Sequence, residues 1–488
     1  MNTPLVGLAI YLVLIAVMAV WTYGMNRTKE DFILGGRRLG AWVIAFSERT
    51  AGESSWLILG LSGALYAVGL LEIWTVIGCV SGIVLYWFII ARKLRIRSEA
   101  YGAITLPEYF FKFCTKYGQA VRVTSMVIIT FFFSFYVAAQ FLGAGKVLEV
   151  TFGLNTTFGM PLAATVVVVY TMMGGFTAVC YTDVIQAILM IITLVLMPVI
   201  GLIFIASLGL DVGAAMRATG ETASLTGGKT GWAGVAAIIG GLSWGLGYMG
   251  QPHLVTKFMA INHPDAIRAS RRVAIVWTLL AYSGATLIGV VGITLVHYGQ
   301  VPAEGVLGTA GDPERILPVL AGFLFPAWIA GILIAGAVAA MMSTADSQLL
   351  ISTSTIVEDF YVRALKRNLS QKSLVTMSRI VTVLIGMAAF CLARSSDNLI
   401  YDVVSMAWAG LGSSFGPAIV LSLHWKRMNS AGVLASMITG AASTALWLWI
   451  PGLNDLISVR FVSFALATAA AIIGSLLTAR EERPDELT

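Results

Sequence analysis

The chain has 488 residues, 58% hydrophobic and 11% charged, with a mean hydropathy of +0.86 and a net charge of +6. Soluble domains carry about 25% charged residues, so this composition excludes an ordinary aqueous globule. Four scattered cysteines without a CxxC pair, four histidines without ligand spacing on one helix face and the lack of a phosphate-binding glycine loop point away from an enzyme.

Apolar runs long enough to cross a ~30 Å hydrocarbon core as a helix recur along the whole chain. Thirteen are expected, near 5–23, 39–68, 71–90, 120–148, 158–175, 183–208, 232–251, 273–298, 315–345, 375–393, 398–423, 430–450 and 459–479. The ninth is expected to continue as helix to about 357. The first lacks a basic leader and a small-residue cleavage site, so it reads as a retained helix, and no soluble domain is expected after the last span.

Cytoplasmic loops retain Lys and Arg. Sorted onto alternate sides of thirteen spans, 24 of the 31 basic residues fall on one side, among them Arg27, Arg92, Lys93, Lys257, Arg271, Arg480 and Arg483. Six fall on the other (Lys146, Arg217, Lys229, Arg315, Arg394, Arg460), and Arg49 lies inside a span. The asymmetry predicts an outside N-terminus and a cytoplasmic C-terminus, and it accounts for the net charge without a nucleic-acid partner.

Ionisable groups at bilayer depth are costly and face a cavity or one another. The second span reads AFSERTAGESSWLILG, with Glu48, Arg49 and Glu53 beside Ser54, Ser55 and Trp56. A helix break there would free backbone carbonyls for a cation. Arg49 and Glu53, four apart, pair on one helix face, as a structural ion pair or as part of coupling. The seventh span ends GGLSWGLGYMGQPHL, a second candidate break, where Pro252 removes a backbone donor and Trp244 and Tyr248 share a face. Aromatics so spaced usually pack; the neighbouring break favours binding. In the ninth span, AAMMSTADSQLL clusters Ser343, Thr344, Asp346 and Ser347, oxygen donors of the kind hard cations prefer. Asp183 is expected at the cytoplasmic start of the sixth span. Two breaks five spans apart fit an inverted-repeat transporter that binds solute and ion at the breaks. The repeats would be 39–208 and 232–423, preceded by an extra helix (5–23) and followed by two C-terminal helices (430–479).

With DFILGGRRLG, SSWLILGLSGA, ITLPEYF, GGFTAVCYTDVIQA, WGLGYMGQPH, AAMMSTADSQLL and WKRMNSAGVLASMITGA in this order, the chain resembles the sodium/solute symporter family, and within it the bacterial sodium/proline symporters. The resemblance implies an all-α membrane protein of the bacterial cytoplasmic membrane, with a thirteen-helix LeuT-type fold and an extra N-terminal helix. It implies import of a small organic solute, expected to be proline, with Na+ as coupling ion and H+ as the alternative. It implies a sodium site from the Thr50 and Glu53 carbonyls with Ala340, Ser343 and Thr344, and a second sodium or proton site from Asp183, Ser343, Asp346 and Ser347. It places solute at Ser54, Trp56, Tyr136, Trp244, Tyr248 and Pro252. One departure stands out: proline symporters carry an Asp where this chain has Gly52, with Glu53 next to it. Symport of another amino acid or a carboxylate is the alternative in the same class. A transporter-like solute sensor is the alternative outside it, disfavoured by the few residues after Arg480.

Overall fold

The computed structural model describes residues 4–23, 29–173, 175–218, 220–307, 311–367, 370–395, 399–479 and 481. Arg27, Arg480 and Arg483 of the charge count and Gly174 of the GGFTAVCYTDVIQA motif lie outside the described residues.

The described residues form helices joined by short connections. The main ones are α1 (Pro4–Tyr23), α2 (Ala41–Gly52), α3 (Ser62–Val68), α4 (Ile73–Ile89), α5 (Leu106–Phe113), α6 (Gly118–Phe152), α7 (Thr156–Met173), α8 (Phe176–Ser207) and α9 (Gly231–Leu242). They continue as α10 (Trp244–Gly247), α11 (Pro252–Ala260), α12 (Ile267–His297), α13 (Ile316–Leu324), α14 (Ala327–Ser354), α15 (Gln371–Arg394), α16 (Ile400–His424), α17 (Ser430–Trp449) and α18 (Val459–Leu477). A π-helical turn, Trp56–Leu61, leads into α3, and another, Thr355–Ala364, extends α14. Among the described residues, ten helical stretches are long and apolar enough to cross a membrane.

That number is smaller than the thirteen expected. Helices α1 and α7 are apolar helices of 20 and 18 residues whose described apolar windows, Leu5–Met18 and Thr157–Met172, fall short of 18 residues, so they stand outside the ten. The second run is broken, so α2 stands alone while the stretch from Trp56 to Ile89 reads as one span, interrupted at Gly69 (φ +68°). Two boundaries also move. The ninth run divides into α13 and α14, because Phe325 is extended (φ −126°, ψ 148°) ahead of Pro326, and a residue before proline avoids the helical region. The sixth helix begins at Phe176, two turns before Asp183, so Asp183 is an interior residue and not a helix start.

Helices α8, α12, α14 and α11 surround α2, so its polar segment is enclosed by protein. Helix α1 packs on α14 at Gly7, whose missing side chain lets the backbone of Gly331 approach: a Cβ there would lie 2.5 Å from the Gly331 carbonyl carbon. At one end of the bundle, the turn Pro313–Arg315 ties three segments together. Glu314 accepts the backbone N–H groups of Ile400 (3.1 Å) and Tyr401 (2.9 Å) at the start of α16 and pairs with Lys146 of α6, which also reaches Asp312 at 2.8 Å. The same turn presses on Gly63 of α3, where a Cβ would meet Glu314 backbone at 2.8 Å. A carboxylate on the free N–H groups of a helix start is favoured by hydrogen bonding and by the helix dipole.

Candidate functional site

Helix α2 stops at Gly52 because Glu53 leaves the helical region (φ −106°, ψ 67°). Ending there strips the last-turn carbonyls of their own helix's donors, and side chains from elsewhere take over. Ser343 Oγ donates to Thr50 O (3.2 Å) and to Ala340 O (3.0 Å), and Thr344 Oγ1 donates to Ala51 O (3.1 Å). His253 Nε2 lies 3.2 Å from Ala51 O, and Trp56 Nε1 donates to Gly52 O at 3.2 Å. Three carbonyl and two hydroxyl oxygens from Thr50, Ala51, Ala340, Ser343 and Thr344 thus converge between the broken helix and α14, all five residues fully buried. An uncharged, all-oxygen set of this kind suits a hard monovalent cation. Ala51 is absent from the set expected from sequence, because only its carbonyl contributes and any residue carries one.

Glu53, expected for its carbonyl, turns its side chain into a different network. Arg49 lies between two carboxylates: Nη1 is 2.9 Å from Glu53 Oε1, Nε is 2.7 Å from Glu48 Oε2, and Nη2 pairs with Glu48 Oε1. Tyr86 OH and Thr278 Oγ1 take further Arg49 protons, at 3.0 and 3.4 Å, and Trp87 Nε1 donates to Glu48 at 3.0 Å. Glu53 also accepts from Tyr248 OH (3.2 Å) and Tyr282 OH (2.8 Å), and the two phenols are 2.6 Å apart. The predicted Arg49–Glu53 pair is present, as part of a larger unit with two carboxylates for one guanidinium. Tyr282 and Glu48 were not predicted as site residues.

The second predicted oxygen set lies one turn along α14. Asp183 Oδ2 accepts from Ser47 Oγ at 2.5 Å and pairs with Lys257 Nζ at 3.3 Å. Lys257, counted with the loop residues from sequence, is 1% exposed, on α11. Its stretch, PHLVTKFMA, resumes the helix after the break, and Pro252 starts it without needing a backbone donor. Among the described residues, Asp183 Oδ1, both carboxylate oxygens of Asp346 and Ser347 Oγ have no hydrogen-bond partner. Thr50 lies between the sets: its hydroxyl is 2.5 Å from Phe46 O and 3.2 Å from the Asp183 backbone carbonyl.

The second break falls at Gln251 (φ −77°, ψ 110°), and the aromatic residues gather against it. Trp56 stacks on Trp244 with ring centroids 4.7 Å apart and planes 12° apart. Trp408 touches both, packs edge-on to Tyr248 at 4.6 Å and to Tyr136 at 6.3 Å, and donates from Nε1 to Trp244 O at 2.9 Å. Ser54 Oγ and Tyr136 OH are 3.4 Å apart. The structure therefore joins Ser54, Trp56, Tyr136, Trp244 and Tyr248 in one cluster, while Pro252 serves the restart of the helix. Trp408 was missed; its surroundings, WAGLGSSFGP, repeat the glycine-flanked aromatic pattern of the seventh span and were the available signal. Tyr401 caps the cluster, 5.1 Å from Trp244, and the Arg460 guanidinium lies 4.5 Å above the Trp244 ring.

A sequence profile described as the sodium:solute symporter family matches residues 32–440. The chain belongs to that family. Among its relatives, the osmoregulated proline transporter OpuE of Bacillus subtilis is 35% identical over 98% of this chain and 95% of its own length. Sodium/proline symporters of Escherichia coli (35% identical; 98% and 93% covered) and Haemophilus influenzae (37%; 99% and 96%) match over the same extent. The fold is that of a solved Na+-coupled sialic acid symporter in a substrate-bound outward-open state, with TM-score 0.80, 19% identity and 99% of each chain covered. MhsT in complex with L-phenylalanine aligns at TM-score 0.54 and 14% identity, over 88% of this chain and 98% of that one. This family membership makes the symporter a transport protein of LeuT-type architecture.

Proposed function

We propose that this symporter imports L-proline with Na+ by alternating access across the cytoplasmic membrane. The observation that carries the reading is the convergence of Ser343 and Thr344 hydroxyls on the Thr50 and Ala51 carbonyls at the break in α2. Sodium would replace these hydroxyl protons as the partner of the carbonyls, with Ala340 completing the set. Solute would lie at the aromatic cluster, where π faces suit a compact apolar ring. Proline recognition is carried over from relatives named as proline transporters and symporters at 35% to 37% identity.

One sodium is proposed per cycle. A second cation at Asp183, Ser343, Asp346 and Ser347 would sit beside the Lys257 ammonium, which already holds Asp183. Entry of one sodium down ~100 mV supplies roughly 2.3 kcal/mol, and a tenfold gradient adds about 1.4 kcal/mol, enough for solute accumulation of several hundredfold. The two repeats are proposed as 39–208 and 232–423, rocking about the shared site. The excess of basic residues supports a cytoplasmic C-terminus and an outside N-terminus.

The test is uptake of labelled proline into proteoliposomes under an inward sodium gradient and, separately, an inward proton gradient. Sodium-driven accumulation is the expected result. Accumulation under the proton gradient alone would replace the coupling ion, and none under either would remove proline.

A further inference from the structure

Glu48, Arg49 and Glu53 are all fully buried. The two carboxylates meet a single guanidinium, and Arg49 has all three nitrogens engaged by Glu48, Glu53, Tyr86 and Thr278. Glu53 faces Arg49 Nη1 and the Tyr248 and Tyr282 hydroxyls, whose two protons are shared among the two contacts with Glu53 and the 2.6 Å contact between the phenols; donors on this side favour its ionised form. With both carboxylates ionised, the unit carries one negative charge more than Arg49 balances. Two further cations lie nearby and each has partners: Lys257 is held on Asp183, and Arg460, over the Trp244 ring, donates to Ser405 Oγ and Gly240 O.

This unbalanced charge backs one side of the aromatic cluster. Tyr248 joins the two directly: its hydroxyl bonds Glu53 and its ring packs against Trp408. Tyr282 does the same, with its hydroxyl on Glu53 and its ring 6.0 Å from Trp56. With the two phenol protons taken up by Glu53 and by the bond between the phenols, one hydroxyl oxygen accepts from the other and the second is left as an acceptor. An acceptor oxygen, aromatic π faces and net negative charge all favour a cation. The cluster also contains the opposite function: Trp244 Nε1, fully buried, has no acceptor among the described residues. An indole N–H of this kind is suited to a carboxylate oxygen.

We propose that Glu53 is the specificity-determining counter-charge for a cationic nitrogen on the solute, and that Trp244 Nε1 offers the matching donor for the solute's carboxylate. The site then selects a small zwitterion by its two charged ends, and a solute keeping only its anionic end is rejected. This inference builds on the reading of the aromatic cluster as the solute site. It does not require proline itself: any compact zwitterion with a positively charged nitrogen and a carboxylate qualifies, including one whose nitrogen is fully methylated, because π faces and a carboxylate attract such a charge without an N–H.

The experiment is isothermal titration of the purified full chain in saturating sodium with three ligands of one ring size: proline, pyrrolidine (cation only) and tetrahydrofuran-2-carboxylate (anion only). Proline and pyrrolidine should bind, with tetrahydrofuran-2-carboxylate at least tenfold weaker than proline. Glu53→Gln leaves Glu48 and Arg49 as a balanced pair and keeps a carbonyl acceptor for Tyr282, so the variant is expected to fold. It should weaken proline and pyrrolidine at least tenfold and bring proline within about threefold of the oxygen analogue, while Glu53→Asp should restore part of the preference. Equal binding of proline and tetrahydrofuran-2-carboxylate to the unaltered chain would overturn the inference, as would an unchanged preference in Glu53→Gln or no binding of any of the three. The readings separate cleanly: Glu53-dependent pyrrolidine binding without proline uptake removes proline and keeps the counter-charge, whereas proline uptake with an unchanged preference in Glu53→Gln does the reverse.

Discussion

Ser343 and Trp244 separate the ion from the solute experimentally. Ser343→Ala removes one hydroxyl from five converging oxygens. The loss of one such partner, about 1 to 1.5 kcal/mol, should raise the sodium concentration for half-maximal uptake roughly tenfold; an unchanged sodium curve would remove the residue from the site. Trp244→Ala deletes the indole that stacks on Trp56. Solute affinity should fall at least tenfold while sodium affinity stays within about threefold, both read by titration of the same preparation; equal loss of both would mean the indole supports the fold and not the solute. At this scale the sequence was most legible where chemistry is carried by unusual side chains: a hydroxyl pair and a carboxylate in an apolar helix, or three charged residues in a span, advertise themselves. It was silent where the backbone acts, as at Ala51. It misled at Lys257, because a basic residue following a proline at a span's end looks like the start of a loop until the helix is seen to resume beyond the break. Tyr282 sits in an ordinary apolar stretch, and only folding brings its hydroxyl to Glu53.

The broken helices depend on close contacts that side chains would block. The indole of Trp408 lies directly on the backbone at Gly247, where a Cβ would fall 1.9 Å from Trp408 Nε1. Gly247→Ala must displace the tryptophan and its bond to Trp244 O. Overpacking of this sort costs about 1–3 kcal/mol, and the variant should show a lower melting temperature in detergent together with weaker solute binding. A melting curve and affinity matching the unaltered chain would show that the cluster has room to yield. A similar crossing holds α4 against α10, where Gly82 and Gly245 meet backbone to backbone and a Cβ on Gly82 would lie 2.3 Å from Gly245 O. Both breaks were legible because glycine, proline and charge coincide in otherwise apolar runs. The division between α13 and α14 was not, since Phe325 and Pro326 are flanked by apolar residues on both sides and hydropathy alone runs straight through them. The start of α8 was also missed, because its first turns, FTAVCYTD, carry polar residues that face protein and not lipid.

For the whole molecule, orientation is the open prediction. A cysteine placed at Lys229 should react with a membrane-impermeant maleimide added outside intact cells, and one at Arg92 should react only after lysis; the reverse pattern would invert the assignment. The clasp at Glu314 lies on the face that the charge count assigns to the exterior, above Tyr401 and the aromatic cluster. It touches neither the five oxygens nor the indoles, so its removal is expected to act on the rate of exchange and not on recognition. Weakening it with Glu314→Gln, which leaves Lys146 its bond to Asp312, should speed solute association and dissociation together while the dissociation constant moves much less. If that is the outcome, the strength of a loop's grip on the first turn of α16 sets how often the site meets the outside solution, and turnover can be adjusted there without altering what is recognised.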